Sequence, residues 1–468
     1  MTAIIKNELV RRIARLAKQN QELEEHLRKL DRMNRELSVE NDRLVGLLEG
    51  SGQLVSSDRA SKEKMVVSLK FNMATLLYAE IHGFSKDTDG MDSSVVMDEL
   101  DEIICKFDAI ASKQRIEKIK TIGDTYMCAG GIPERNITNP VEVVMAAIEM
   151  RNFLESFEEE KRKERASFWT LKTAIHTGPV SATVSGKRKT NYDLKGDTVN
   201  TASRIRAVSE SGMILISVMT YELVKEFFDC EYYGKLPVKY KGDLELFMVK
   251  GLKAEFRIAG DFILPNDAFR IKFGLMQFTD IQEKILDKLE NELPENLHYH
   301  NVKHTVDVVT EVELIGWAEG CSDAEILILK TAALFHDAGH TISYEDHEFH
   351  ATVIAREMLP QYGYSPDQVE RICSVIMATK LPPKPSNLLE SIICDSDLDY
   401  LGRSDFIPVS NTLFEELKAQ NKMGSLNDWN KLQIKFISGH QYFTKTARNL
   451  REVNKQLQIE RLQGLITD

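Results

Sequence analysis

The sequence predicts a multidomain chain in three parts: an N-terminal parallel coiled coil, an α+β domain and an all-α domain. Three observations carry this. Leucines recur at strict seven-residue spacing from Leu9 to Leu44. Strand-like and helix-like stretches then alternate from Lys64 to Ala259. Beyond residue 275 strand signals nearly vanish and helical periodicity takes over. At 468 residues the chain is long enough for two or three domains, and its 43% hydrophobic and 28% charged residues are an ordinary globular balance.

In the first part, Leu9, Leu16, Leu23, Leu30, Leu37 and Leu44 hold one heptad position, and Ile13, Asn20, Leu27, Asn34, Asn41 and Leu48 hold the other. Leucine at one core position and asparagine at the other favour two parallel strands in fixed register, because a buried amide is satisfied only against its mate. A seam this narrow suits a coiled coil better than a helix packed on its own protein. No basic region precedes the heptads, so a DNA-binding zipper is disfavoured. The expected segments are 1–50 coiled coil, 51–64 linker, 65–259 α+β domain, 260–275 linker and 276–468 all-α domain.

A net charge of −12 argues against nucleic acid as a partner, which would want a basic face. No apolar run approaches the roughly 20 residues that span a bilayer, and the polar N-terminus is no signal peptide. The six cysteines form no Cys-x-x-Cys pair and suit buried thiols in a reducing compartment, so the expected location is cytoplasmic.

Within the middle part, four separated motifs stand out. Ile116 to Gly131 reads as a hairpin whose tip, Gly123-Asp124, carries a carboxylate. Ala74 to Phe84 is an apolar strand with one acid, Glu80. Gly196 to Arg204 reads as a turn entering a helix, with Asn200 and Arg204 four apart on one face. Val238 to Gly242 is a basic turn. In this order and spacing the set resembles the catalytic domain of class III nucleotidyl cyclases, over about Met65 to Ala259.

That resemblance implies a ferredoxin-like α+β domain that joins a ribose 3′-oxygen to the α-phosphate of a nucleoside triphosphate. It gives Glu80 and Asp124 as ligands of Mg²⁺ or Mn²⁺, Arg204 for transition-state charge, and Asn200 for the ribose. Arg188 and Lys239 would hold the triphosphate. Lys120 and Asp193 occupy the base-selecting positions; a donor and an acceptor there suit adenine, so the expected substrate is ATP. The family site lies across a dimer interface, so a homodimer would carry two equivalent sites. Glu80 departs from the usual aspartate, and its extra methylene shifts the carboxylate at a site sensitive to such displacement. A nucleotide-binding domain without turnover is the alternative.

Histidine is dense in the last part: His300 and His304, then His336-Asp337 and His340, then His347 and His350, with Asp395 and Asp397 beyond. Imidazoles with a carboxylate able to bridge suit one or two divalent transition ions such as Mn²⁺, Fe²⁺ or Zn²⁺. The order His304, His336-Asp337, Asp395 resembles the HD superfamily of metal-dependent phosphohydrolases. Tyr299-His300-Asn301-x-x-His304 further resembles cyclic-nucleotide phosphodiesterases. The resemblance implies metal ligation by His304, His336, Asp337 and Asp395, with His340 by a second ion and His300 as proton donor to the leaving oxygen. Asp397 is an alternative to Asp395. The expected substrate is a cyclic nucleotide, with another phosphoester left open, since His347 and His350 fit a wider set of bacterial HD proteins.

Overall fold

The computed structural model describes residues 67–82, 93–161, 169–185, 191–238, 242–259 and 264–466. The predicted coiled coil, Arg188 and Lys239 lie outside them.

Period-two alternation in the first strand, β1 (Val67–His82), builds the α+β part. Leu77, Ala79 and Ile81 enter one core, and Ala74, Leu76 and Tyr78 enter another on the opposite face. The strands β2 (Glu117–Ile122), β3 (Thr125–Gly130), β4 (Thr170–Ser185), β5 (Asn191–Lys195), β6 (Ile214–Ser217), β7 (Phe228–Val238) and β8 (Gly242–Leu252) complete the sheet. Its order is β2-β3-β1-β4-β6-β8-β7, with β5 paired to β4. Every pairing is antiparallel except β4 with β6.

Helices α1 (Ser93–Lys113) and α2 (Asn139–Lys161) bring Ile103, Phe107, Val144 and Ile148 onto the first face. Helix α3 (Asp197–Val208) brings Ala202 and Ile205 onto the other. The short α4 (Val218–Val224) lies between β6 and β7. Because Glu80 has the parity of Tyr78, it stands on the α3 face.

The last part is helical: α5 (Asp267–Glu292), α6 (Val302–Ala318), α7 (Asp323–Phe335), α8 (His347–Met358), α9 (Pro366–Met377), α10 (Leu388–Asp397), α11 (Phe406–Ala419), α12 (Leu426–Gly439) and α13 (Lys445–Leu465). Capping boxes Ser322/Glu325 and Ser365/Gln368 start α7 and α9. Ten-residue α10, with Cys, Ser and Asp in place of strong helix formers, and α11, with Pro408 in its first turn, go beyond what spacing predicts. Asn387 caps α10, and burial of Leu389, Ile392 and Ile393 holds it.

Two predicted segments differ in the structure. The expected connector 260–275 and the domain start at 276 do not hold, because α5 begins at Asp267. Asn266 caps it by accepting from the Phe269 amide, and Gly274, which reads as a breaker, sits mid-helix. A Cβ at Gly274 would lie 2.7 Å from Leu327, so glycine there permits close packing of α5 on α7. Phe269 joins the core of the sheet domain, while Phe278, Ile281 and Ile285 join the helical core. One helix therefore belongs to both cores. The helical spacing of Trp429–Ile459 predicts one helix, but the structure has two, α12 and α13, separated at His440–Thr444. There Thr444 caps α13 through the Ala447 amide.

The junction is polar as well as apolar. Buried Asp280 of α5 accepts from the Ile137 amide at 2.8 Å and from the Thr138 hydroxyl at 3.1 Å. Arg115, with a left-handed φ of 57°, pairs with buried Glu142 and lies over the Tyr362 ring. Asp280→Ala strands the Ile137 amide, while the Thr138 hydroxyl keeps Glu142 as acceptor, so a loss of about 1–2 kcal/mol is expected. Amide exchange at Ile137 would report it as lost protection; unchanged protection would show that Asp280 does not hold the junction.

Candidate active sites

In the sheet domain the acids sit where the strands place them. Gly123, at φ 61°, takes the first turn position between β2 and β3, as a type II′ hairpin needs. This sets half-buried Asp124 at the tip. Glu80 pairs across β1 and β3 with Thr125, the residue after Asp124, so the two acids occupy neighbouring strand ends. Lys120 and Asp193 are brought together from β2 and β5, Nζ to Oδ1 at 3.7 Å, and Lys195 lies 3.5 Å from the other oxygen of Asp193. A β-bulge between Lys118 and Lys120 sets the register there. Asn200 and Arg204 are exposed on α3.

A residue that spacing alone does not mark also enters this site. Arg206 Nη1 donates to Thr125 Oγ1 at 2.8 Å and lies 3.2 Å from Glu80 Oε2. The other Glu80 oxygen is 2.7 Å from His82 Nε2. Two carboxylates at the ends of adjacent strands, already balanced by a cation, form an oxygen donor set that fits a hard divalent ion.

The helical domain is built around Asp337. Asn301 caps α6, accepting from the Lys303 and His304 amides, and so places His304 on the first turn. His304 Nε2 lies 3.0 Å from Asp397 Oδ1 and 3.5 Å from Asp337 Oδ2. His336 ends α7 with Nδ1 2.7 Å from the Ala333 carbonyl. A carbonyl only accepts, so Nδ1 carries a proton and Nε2 is the nitrogen left to face an ion. That Nε2 lies 3.2 Å from Asp337 Oδ2 and 3.5 Å from Asp397 Oδ1.

The other Asp337 oxygen faces a second pair of imidazoles. His340 Nε2 is 3.9 Å away and His347 Nε2 is 3.7 Å away. The two rings stack at 3.9 Å. Gly339 makes this possible: a Cβ there would come within 1.8 Å of the His347 carbonyl oxygen. His304, His336 and Asp337 thus form one cluster of potential ligands, and His300, Asp337 and His340 another, with Asp337 common to both. His350 follows one turn along α8, with its ring beside Phe349.

Ligation by Asp395 is not what the geometry offers. Its fully buried carboxylate accepts from the Phe443 and Thr444 amides at 2.8 and 2.7 Å. It anchors the break between α12 and α13. Asp397, two residues along α10 and so on the other side of the helix, faces the imidazoles instead.

His300 is held by a residue more than a hundred positions away. Nδ1 lies 2.5 Å from Glu416 Oε1, while Glu416 Oε2 accepts from the Tyr299 and His300 amides. Burial disfavours the His300 imidazolium, but Asp337 and Glu416 outweigh it and raise its pKa. Burial, only partly opposed by Asp337, pushes His340 down to about 3, leaving it neutral.

His336 Nε2, Asp337 Oδ2 and both ring nitrogens of His340 are buried without hydrogen-bond partners. Orphaned polar atoms in a protein interior are costly. Their convergence, with imidazoles and carboxylates as donors, fits one or two divalent ions. Beside them opens a cavity of about 450 Å³. Its walls include Tyr400, Phe436, Trp429, Leu413 and Leu417, and Gln433, whose buried Oε1 has no partner, lines it as well.

Comparison with known proteins agrees with this division. Residues 66–251 match the family described as the adenylate and guanylate cyclase catalytic domain, and residues 301–399 match the HD domain. The chain carries a class III cyclase catalytic domain followed by an HD domain. It is 34% identical over 189 residues to a receptor-type guanylate cyclase of Caenorhabditis elegans, covering 40% of this chain and 16% of that one. It is 29% identical over 228 residues to an adenylate cyclase of Mycobacterium bovis, covering 48% and 51%. The adenylyl cyclase CyaB of P. aeruginosa aligns at TM-score 0.38 and 24% identity, over 40% of this chain and 98% of that one. The chain thus spans between 16% and 51% of these two curated relatives. Among the described residues no helix is long and apolar enough to cross a membrane.

Proposed function

We propose that the protein is bifunctional: a homodimeric cyclase that makes cyclic AMP from ATP, and an HD hydrolase that opens a cyclic nucleotide. For the hydrolase, the observation that carries the reading is Asp337, shared between two imidazole clusters beside a cavity of nucleoside size. Divalent ions, when bound, supply an activated water and neutralise phosphate charge. His304, His336, Asp337 and Asp397 would hold one ion, and Asp337, His340 and His347 a second. His300, protonated and aligned by Glu416, gives its Nε2 proton to the departing 3′-oxygen. The apolar cavity wall takes the base, and the Gln433 amide offers it both a donor and an acceptor.

For the cyclase, the Lys120–Asp193 pair carries the choice of adenine. An ammonium can donate to the ring nitrogens of adenine, and a carboxylate can accept from its exocyclic amine. Asn200 and Arg204, on the exposed side of α3, reach a site completed by the Glu80 and Asp124 of a second chain. Arg188 and Lys239 hold the triphosphate. The heptads of residues 9–48 would join the two chains. A second reading, in which the domain binds nucleotide without turning it over, is favoured by one contact: Arg206 lies 3.2 Å from the Glu80 carboxylate.

Incubating the protein with ATP or GTP and Mn²⁺, with and without Asp337→Ala, tests both halves. Wild type is expected to turn ATP into 5′-AMP by way of cyclic AMP, and Asp337→Ala to accumulate cyclic AMP. Preference for GTP would sink the base assignment. Cyclic nucleotides left intact while another phosphoester is cleaved would sink the phosphodiesterase assignment.

A further inference from the structure

We propose that Arg206 is a built-in counter-cation of the two-acid site, one that a divalent ion must displace from Glu80 before the cyclase is competent. The inference rests on the reading of Glu80 and Asp124 as ion ligands and adds a residue that sets how tightly they bind.

Helix α3 presents two arginines in two directions. Arg204 is exposed. Arg206 comes two residues later, about 200° further round the helix, and turns back onto the sheet. Its guanidinium carbon stands 5.8 Å from the centre of the Tyr78 ring. Tyr78 and Glu80 lie on the same face of β1, so the strand delivers the carboxylate to the side that α3 covers.

Arg206 touches both acids, one directly and one through a relay. Its Nη1 lies 3.2 Å from Glu80 Oε2 and donates to Thr125 Oγ1 at 2.8 Å. The Thr125 hydroxyl in turn donates to Asp124 Oδ1 at 3.1 Å. One cation thus links the two carboxylates. The other Glu80 oxygen is 2.7 Å from His82 Nε2, a contact without hydrogen-bond geometry, so Arg206 is the partner that matters.

The length of Glu80 is part of the device. An aspartate at this position would draw the carboxylate back by about 1.5 Å, one carbon–carbon bond. It would fall short of Arg206. The extra methylene therefore gives the site a resting partner. Glu80 and Arg206 are both mostly shielded, with side chains 18% and 29% exposed, so the pair is screened less than a surface ion pair. A divalent ion binds here only by replacing that contact, which raises the ion concentration at which the site fills.

Mn²⁺ binding to the full-length chain without nucleotide, followed by electron paramagnetic resonance, tests this. The cyclase centre is defined as the Mn²⁺ lost on Asp124→Ala, which leaves the HD centre in place. Arg206→Gln is expected to tighten Mn²⁺ at that centre roughly tenfold, and the gain should vanish in the Arg206→Gln/Asp124→Ala double variant. Affinity that is unchanged or weaker in Arg206→Gln overturns the proposal while the two-acid reading stands. No Asp124-dependent Mn²⁺ in either protein overturns the two-acid reading, and the proposal with it. Should Arg206→Gln fail to fold, Glu80→Asp separates the same pair from the other side and is expected to show the same gain. Unchanged or weakened binding there likewise overturns the proposal.

Discussion

Asp337→Ala is expected to empty both ion positions of the HD domain and to lower phosphoester hydrolysis by roughly a thousandfold. Its two oxygens face different clusters, Oδ2 toward His304 and His336 and Oδ1 toward His340 and His347. Removing it takes a ligand from each ion at once. Ions in such sites supply several kcal/mol of charge stabilisation, and about 4 kcal/mol is a factor of about 10³ in rate. Metal content of the purified protein and turnover of cyclic AMP are the two readouts. Loss of turnover with metal retained would show that Asp337 is not a shared ligand.

Neighbouring substitutions separate roles that one activity assay would merge. Asp397→Ala should lose metal. Asp395→Ala should keep metal but lose stability, because it leaves the Phe443 and Thr444 amides without their acceptor. His300→Ala and Glu416→Ala should keep the ion of the first cluster and lose turnover, since neither residue is needed to hold that ion.

The contrast between Asp395 and Asp397 shows what was legible in the sequence. Residue types and spacing located the cluster, because histidines near an aspartate have few other reasons to crowd together. They left open which of two acids on one helix turns inward, since that depends on the rotation of α10 in its packing. Glu416 was invisible for a different reason: nothing local distinguishes it from Glu415 beside it, and only the fold brings it to His300. Arg206 was hidden by its proximity to Arg204, which the spacing with Asn200 marks instead. In the sheet domain, alternation and the Gly123-Asp124 turn made the strands and the tip legible. Gly274 misled because a glycine that breaks a helix and one that lets two helices approach look alike until Leu327 is seen against it.

Arg204→Ala is expected to lower cyclase activity about 10²- to 10³-fold, the usual range for a lost donor to developing transition-state charge. Asp124→Ala should be at least as damaging, because it removes an ion ligand. Co-expressed, the two inactive proteins should recover activity. On the proposed reading each site takes its acids from one chain and Arg204 from the other. A mixed dimer then holds one site with both defects and one with neither. Random pairing makes half of the dimers mixed, each with one of two sites intact, so about a quarter of wild-type activity should return. Deleting residues 1–50 should abolish that recovery at nanomolar concentration if the heptads hold the chains together. A mixture no more active than its parents would place the whole cyclase site within one chain, and the exposure of Asn200 and Arg204 on α3 would then need another explanation.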